Sequence, residues 1–173
     1  VKGYQTKSIR CLGIDPGIAN TGFAIVGLSE NRYTLMKCEC IQTDADKENG
    51  RRYAEIFHRL SEILLDNPVD AVVVESVFHN KNVSSSKTTA GVIAVVELLC
   101  AQLTVPLMQL TPQTVKGAVG CLGSASKSEV MRNVKVLLKT SFENLKIHHA
   151  SDAAAAAIAG ILEKRSLPFR EEK

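Results

Sequence analysis

Two spacings of apolar residues divide the chain. "SIRCLGID" (8–15) reads as a buried strand stopped by Pro16 and Gly17, "TGFAIVGLS" (21–29) as a second, and "RYTLMKCECIQT" (32–43) as a third. The turn "SENR" between the last two is short enough for an antiparallel hairpin. From about residue 47 to 66 the period changes: Tyr53, Ile56, Phe57, Leu60, Ile63 and Leu64 recur at helical spacing. "DAVVVE" (70–75) is a continuous apolar run of the kind found in fully buried parallel strands. The polar stretch "NKNVSSSKTT" (80–89) then reads as a loop, followed by a strongly apolar helix over roughly 90–104. Pro106 opens a short strand, "PLMQL", and Thr111-Pro112 has the form of an N-cap and first helical residue. After the break at "GCLGSAS", helices are predicted over about 126–140 and from near Ser151 to about Arg165.

Three strands of a meander followed by helix–strand–helix–strand predict an α/β fold. Its sheet is mixed and five-stranded, with antiparallel strands 1–3, then parallel strands 4 and 5, flanked by helices. Strand 1 sits centrally, between strands 2 and 4. The absence of repeats and linkers predicts a single domain over 1–173, with 1–8 and 166–173 as flexible tails.

Composition narrows the class. Apolar residues make up 45% of the chain and charged ones 23%, as in an ordinary globular domain. No apolar run reads as long enough to span a bilayer, and the opening "VKGYQTKS" lacks an apolar signal region, so no membrane partner is expected. The five cysteines are odd in number and scattered, which predicts reduced thiols in a cytoplasmic protein. Cys38 and Cys40 share a strand face, but no second pair completes a zinc site. A net charge of +3 permits a nucleic-acid partner without demanding one.

The candidate chemistry lies at element ends. Asp15 and Glu75 each end a strand, and if those strands are parallel neighbours both carboxylates lie at the sheet end where active sites form. Read singly, Asp15-Pro16-Gly17 is equally an ordinary turn, and Glu75 a strand reaching solvent. Asp152 stands at the expected start of the last helix, with His149 three and His148 four residues before it. Capping by Ser151 or Asp152 accounts for part of this segment but not for two histidines. Three carboxylates and an imidazole without thiolates suit Mg²⁺ or Mn²⁺, and acids gathered from distant segments need a cation to offset their repulsion. Such a cluster is what two-metal phosphodiester cleavage uses. Arg132, Lys135 and Lys139 form one face of the 126–140 helix, opposite Val130, Val134 and Leu137, and most such basic faces are simply solvated. The loop "FHNKNVSSSK" offers Phe78, Lys81 and Lys87 to a phosphate backbone and a base, or else is an ordinary loop with Phe78 tucked into the core.

"LGIDPGIANTGFAIV", "VVVESVFHNKN", "TPQTVKGAVGCLGSASKSEV" and "HHASDAAAAAIA", in this order, resemble the RuvC family of bacterial Holliday-junction resolvases. The likeness runs from about residue 9 to 164. It implies a ribonuclease-H-like fold, a homodimer, and divalent-metal-dependent nicking of four-way DNA junctions to 5′-phosphate and 3′-hydroxyl ends. It implies metal binding by Asp15, Glu75 and Asp152, with one departure: the family usually has a fourth acid where this chain has His149. The family's spacing gives that place to His149 as a catalytic and metal-side group, with His148 as the alternative ligand, and imidazole there would tilt the site toward Mn²⁺. The resemblance further implies DNA contacts by Phe78, Lys116 and Lys127, dimerisation through the helix of 90–104, and a RuvA–RuvB branch-migration partner. Two other readings remain open: a ribonuclease-H-like nuclease of the YqgF type acting on RNA, and a non-catalytic junction-binding module with structural acids.

Overall fold

Strict alternation along the central strand sorts its side chains between two cores. In the computed structural model, which describes residues 8–76, 83–139 and 148–166, β1 (Ile9–Pro16) pairs antiparallel with β2 (Asn20–Ser29) and parallel with β4 (Ala71–Glu75). The hairpin partner β3 (Arg32–Gln42) and the parallel edge strand β5 (Leu107–Leu110) complete the sheet in the order β3-β2-β1-β4-β5. The predicted mixed, five-stranded topology is the observed one. Leu12, Ile14, Phe23, Ile25, Val72 and Val74 turn to one face and pack against α1 (Asn49–Asp66) and α2 (Val83–Leu103). Cys11, Ala24, Val26, Ala71 and Val73 turn to the other, against α3 (Pro112–Ala118), α4 (Lys127–Leu138) and α5 (His148–Ser166). Since side chains alternate with a period of two, Asp15 follows Cys11 to the α5 face and Glu75 follows Val73.

The helix starts differ from expectation in two places. α2 begins at Val83, so much of the polar stretch read as loop is helical. Serines and threonines carry no apolar period and are weak helix formers, which hides such a start in the sequence. The turn is supported from outside: the Tyr53 hydroxyl of α1 donates to the Thr88 carbonyl (3.4 Å), and Gly91 lies directly against the Tyr53 ring. The longer helix also corrects the expectation that nothing here could span a bilayer. Ser86–Leu103 is long and apolar enough to do so by length and composition, with a mean hydropathy of 1.3. Its residues Val92, Val96, Leu99 and Cys100 are nevertheless core residues packed on the sheet.

α5 begins at His148, three residues before the predicted start, and runs to Ser166. Ser151 and Asp152 therefore lie inside the helix and not at its cap. The cap read at Thr111 is present, and α4 has a cap of its own. Thr111 accepts from the Thr114 amide, while Ser126 and Glu129 form a reciprocal capping box at α4. The facing positions of α4 are Val130, Val134 and Leu138, with Leu137 only partly buried.

Candidate active site

The alanine run of α5 sets the depth of the site. Ala150, Ala153, Ala154, Ala155, Ala156, Ala157 and Ala159 are all essentially buried. They meet a sheet surface that is itself pared down. A Cβ at Gly13 of β1 would fall inside the Ala153 carbonyl oxygen, and one at Gly22 of β2 inside that of His149. Backbone thus rests on backbone, and the first two turns of α5 are brought down onto the C-terminal end of β1. Asp152 comes with them.

The result is a cavity of about 260 Å³ whose lining includes Asp15, Glu75, Asp152, Lys116 and Lys127. The three acids come from β1, β4 and α5, and the two lysines from α3 and α4. Asp15 and Glu75 are level because the parallel β1–β4 register pairs Ile14 with Val74, one residue earlier on each strand. Burial pushes both carboxyls above the usual carboxylate range. For Asp15 the hydrogen bond to His149 opposes this rise and the nearby Asp152 charge adds to it, while for Glu75 the charges of Asp15 and Asp152 add to it. Burial would lower the Lys127 ammonium, but its hydrogen bond to Asp152 and the charges of all three acids hold it above its ordinary value.

Two contacts organise the charges. Lys127 Nζ lies 3.1 Å from Asp152 Oδ2, and His149 Nδ1 lies 2.6 Å from Asp15 Oδ2. Lys127 is the cation that the acid cluster holds in this structure. His149 bonds the Asp15 carboxylate without itself lining the cavity, and its backbone is the one against which Gly22 packs. Helical spacing places it one turn before Asp152, the three-residue interval seen in the sequence. The His148 backbone starts the helix, and Phe78 and Lys81 lie outside the described residues. Lys87 is on α2 and exposed, and it is not part of the cavity lining. Lys116 does line the cavity, but its ammonium donates to the carbonyls of Gly123 and Ala125, a role that no sequence signal carried. Asn133, whose amide holds the same connection through Val119, was likewise not singled out. An asparagine in a helix has many uses, and only the partner's position reveals this one.

The donor set is chemically right for a hard divalent cation: carboxylate oxygens, no thiolate, and an excess of negative charge. Among the described residues, no three His, Cys, Asp or Glu side chains already converge as a metal-holding group. Asp152 is engaged by Lys127 and Asp15 by His149, so the acids share a cavity while pointing at separate partners.

The raised carboxyls predict a pH dependence. Without metal, folded Asp15 and Glu75 keep protons that the unfolded chain has already released. Their contribution therefore favours folding at low pH and is lost as pH rises from the ordinary carboxylate range through the raised values. In chelator, the Tm of Glu75→Gln relative to wild type is expected to increase as pH is raised from about 4 to about 7. A constant difference across that span would show that Glu75 is not raised.

A model of the family described as crossover junction endodeoxyribonuclease RuvC matches residues 11–160. A protein of that name from Treponema denticola is 34% identical over 150 residues, covering 87% of this chain and 84% of its own length. The one from Finegoldia magna is 32% identical, covering 95% of this chain and 100% of its own. Among solved structures, Thermus thermophilus RuvC in complex with a Holliday junction substrate superposes with a TM-score of 0.82 at 25% identity, over 91% of this chain and 96% of that one. The yeast mitochondrial Holliday junction resolvase Ydc2 shares the fold, with a TM-score of 0.60 at 14% identity over 91% and 82% of the two chains.

Proposed function

The chain belongs to the RuvC family of crossover junction endodeoxyribonucleases, and we propose that its cutting centre is the acid cavity where β1, β4 and α5 meet. It is a Holliday-junction resolvase, a divalent-metal-dependent nuclease that cuts four-way DNA. The observation that carries the placement is that Asp15, Glu75 and Asp152, from three distant segments, line one cavity, with the Lys127 ammonium held by Asp152.

In this reading Asp15, Glu75 and Asp152 hold Mg²⁺ or Mn²⁺, two ions per site. Metal held there would supply Lewis-acid activation of the attacking water and charge compensation at the phosphodiester. The remaining work belongs to the protein. His149 fixes the orientation of the Asp15 carboxylate through its 2.6 Å hydrogen bond and is a candidate ligand on the metal side. Lys127, held 3.1 Å from Asp152 at the edge of the cavity, would be placed to meet a phosphate of the strand being cut. In the family reading Phe78 would be the aromatic near the junction centre, and Lys81 and Lys87 would be phosphate contacts.

Two symmetric copies would set two such cavities on two equivalent strands, as paired nicking requires. The outward side of α2, where Ala94, Leu98 and Ala101 are exposed, supports that homodimer. The family reading adds RuvA–RuvB as the partner machinery. The five unpaired cysteines support a reducing, cytoplasmic setting.

The test is cleavage of a synthetic mobile four-way junction in Mg²⁺ and in Mn²⁺, mapped at nucleotide resolution beside duplex DNA and structured RNA. Symmetric nicks confined to the junction are expected. Cutting of RNA in preference to the junction would favour the YqgF-type reading, and binding without cleavage in either metal would favour the non-catalytic one. A second expectation concerns Lys127. Lys127→Met removes a competing cation from Asp152, so Mn²⁺ measured by calorimetry should bind about threefold more tightly. Equal or weaker binding would show that Lys127 does not compete with metal.

A further inference from the structure

Lys116 has its ammonium committed elsewhere. From α3 its Nζ donates to the carbonyl oxygens of Gly123 (2.9 Å) and Ala125 (2.8 Å), just ahead of the Ser126 cap of α4. The start of the same connection is held from the opposite side. Asn133 Nδ2 of α4 donates to the carbonyls of Val119 (3.0 Å) and Gly120 (3.4 Å), and Gly120 takes a left-handed φ of +73°. Between these two clasps, Leu122 at the tip is 79% exposed. Apart from Val119 and Cys121 near its start, the connection has little apolar contact with the core, so polar bonds determine where it lies. What the connection launches is Lys127, the first residue of α4, whose Nζ reaches Asp152.

We propose that Lys116 is a positioning residue for junction cutting: it pins the 123–126 turn and so places Lys127 against the acid cavity, in preference to neutralising a DNA phosphate itself. The proposal rests on the reading of Asp15, Glu75 and Asp152 as the cutting centre. A direct phosphate contact would require Lys116 to abandon two charge-assisted hydrogen bonds and leave two carbonyls without their donor. Without those bonds the turn is free to drift, and a displacement of about 1 Å in a group facing the reacting phosphate is enough to slow the chemistry by about 10²-fold.

Lys116→Met keeps the aliphatic stem and removes the donor. Amide hydrogen exchange at Gly123 to Lys127 is expected to quicken tenfold or more. The single-turnover cleavage rate should fall between tenfold and about a hundredfold, with junction Kd in chelator within about twofold of wild type. The salt dependence of binding separates the two roles. A phosphate contact predicts a log–log slope smaller by about 0.9, and the clasp predicts no change. Asn133→Ala loosens the other end of the turn without altering charge, and it should give the same faster exchange and slower cleavage. It also serves if Lys116→Met fails to fold in a thermal melt. A reduced salt slope for Lys116→Met overturns the proposal, as does unchanged exchange, or faster exchange in Asn133→Ala with full cleavage. Exchange and salt slope are read without metal. If the acid cavity is not the cutting centre, Asp15→Asn will still cleave while these two readouts stand, which tells the two failures apart.

Discussion

Asp15→Asn is expected to bind four-way junctions as wild type does and to cut them about 10³-fold more slowly, or not at all, in Mg²⁺. The substitution is isosteric and leaves a hydrogen-bonding atom facing His149, so the packing of β1 under α5 is preserved. What it removes is a charge from a cavity where three acids are gathered. Metal stabilisation of a phosphoryl transition state amounts to several kcal/mol, and each 1.36 kcal/mol is about tenfold in rate. Junction affinity comes largely from phosphate contacts, which a lost carboxylate does not weaken. Gel shifts in chelator and single-turnover cleavage in Mg²⁺ separate the two effects. Cleavage within about tenfold of wild type would remove Asp15 from the metal site.

Gly13→Ala is expected to destabilise the fold by about 3 kcal/mol, at the upper end for overpacking by a single methyl group. The new Cβ would coincide with the Ala153 carbonyl of α5, a backbone atom that cannot swing aside as a flexible side chain could. The helix must lift, and Asp152, one residue before Ala153, lifts with it. The loss of cleavage should therefore exceed what the unfolded fraction explains. Gly50→Ala is the control, because a Cβ there meets nothing within 4 Å. Placed in the first turn of α1, it should leave stability unchanged or raise it by up to about 1 kcal/mol. Urea unfolding of both variants measures the contrast. A Gly13→Ala midpoint close to that of wild type would mean that α5 does not rest on β1 as closely as it does here.

The acid pair on the sheet was legible because strand geometry is local. "GID" and "VVVE" end strands whose alternation puts Asp15 and Glu75 on one face, and parallel order alone makes them neighbours. The third acid was legible as a residue but not in its setting. Asp152 reads as a helix-start acid, whereas it lies in the second turn of a helix that begins at His148. Histidine carries no strong helix signal, so the sequence points to the better capping residue as the start. The same weakness of polar residues as markers hid the first turns of α2.

The sequence by itself determined the order and pairing of the strands, the capped start of α3, the family, and the identity of the acids. These depend on side-chain period, on turn chemistry and on motifs, all of which act over a few residues. Tertiary structure decided which charge meets which. That Lys127 faces Asp152, His149 bonds Asp15 and Lys116 holds the turn ahead of α4 are contacts spanning 25, 134 and up to 9 residues. A lysine or histidine looks the same in the sequence whatever partner it finds. Its role is set by how closely the helices pack on the sheet, and here the glycines of β1 and β2 and the alanines of α5 set that distance.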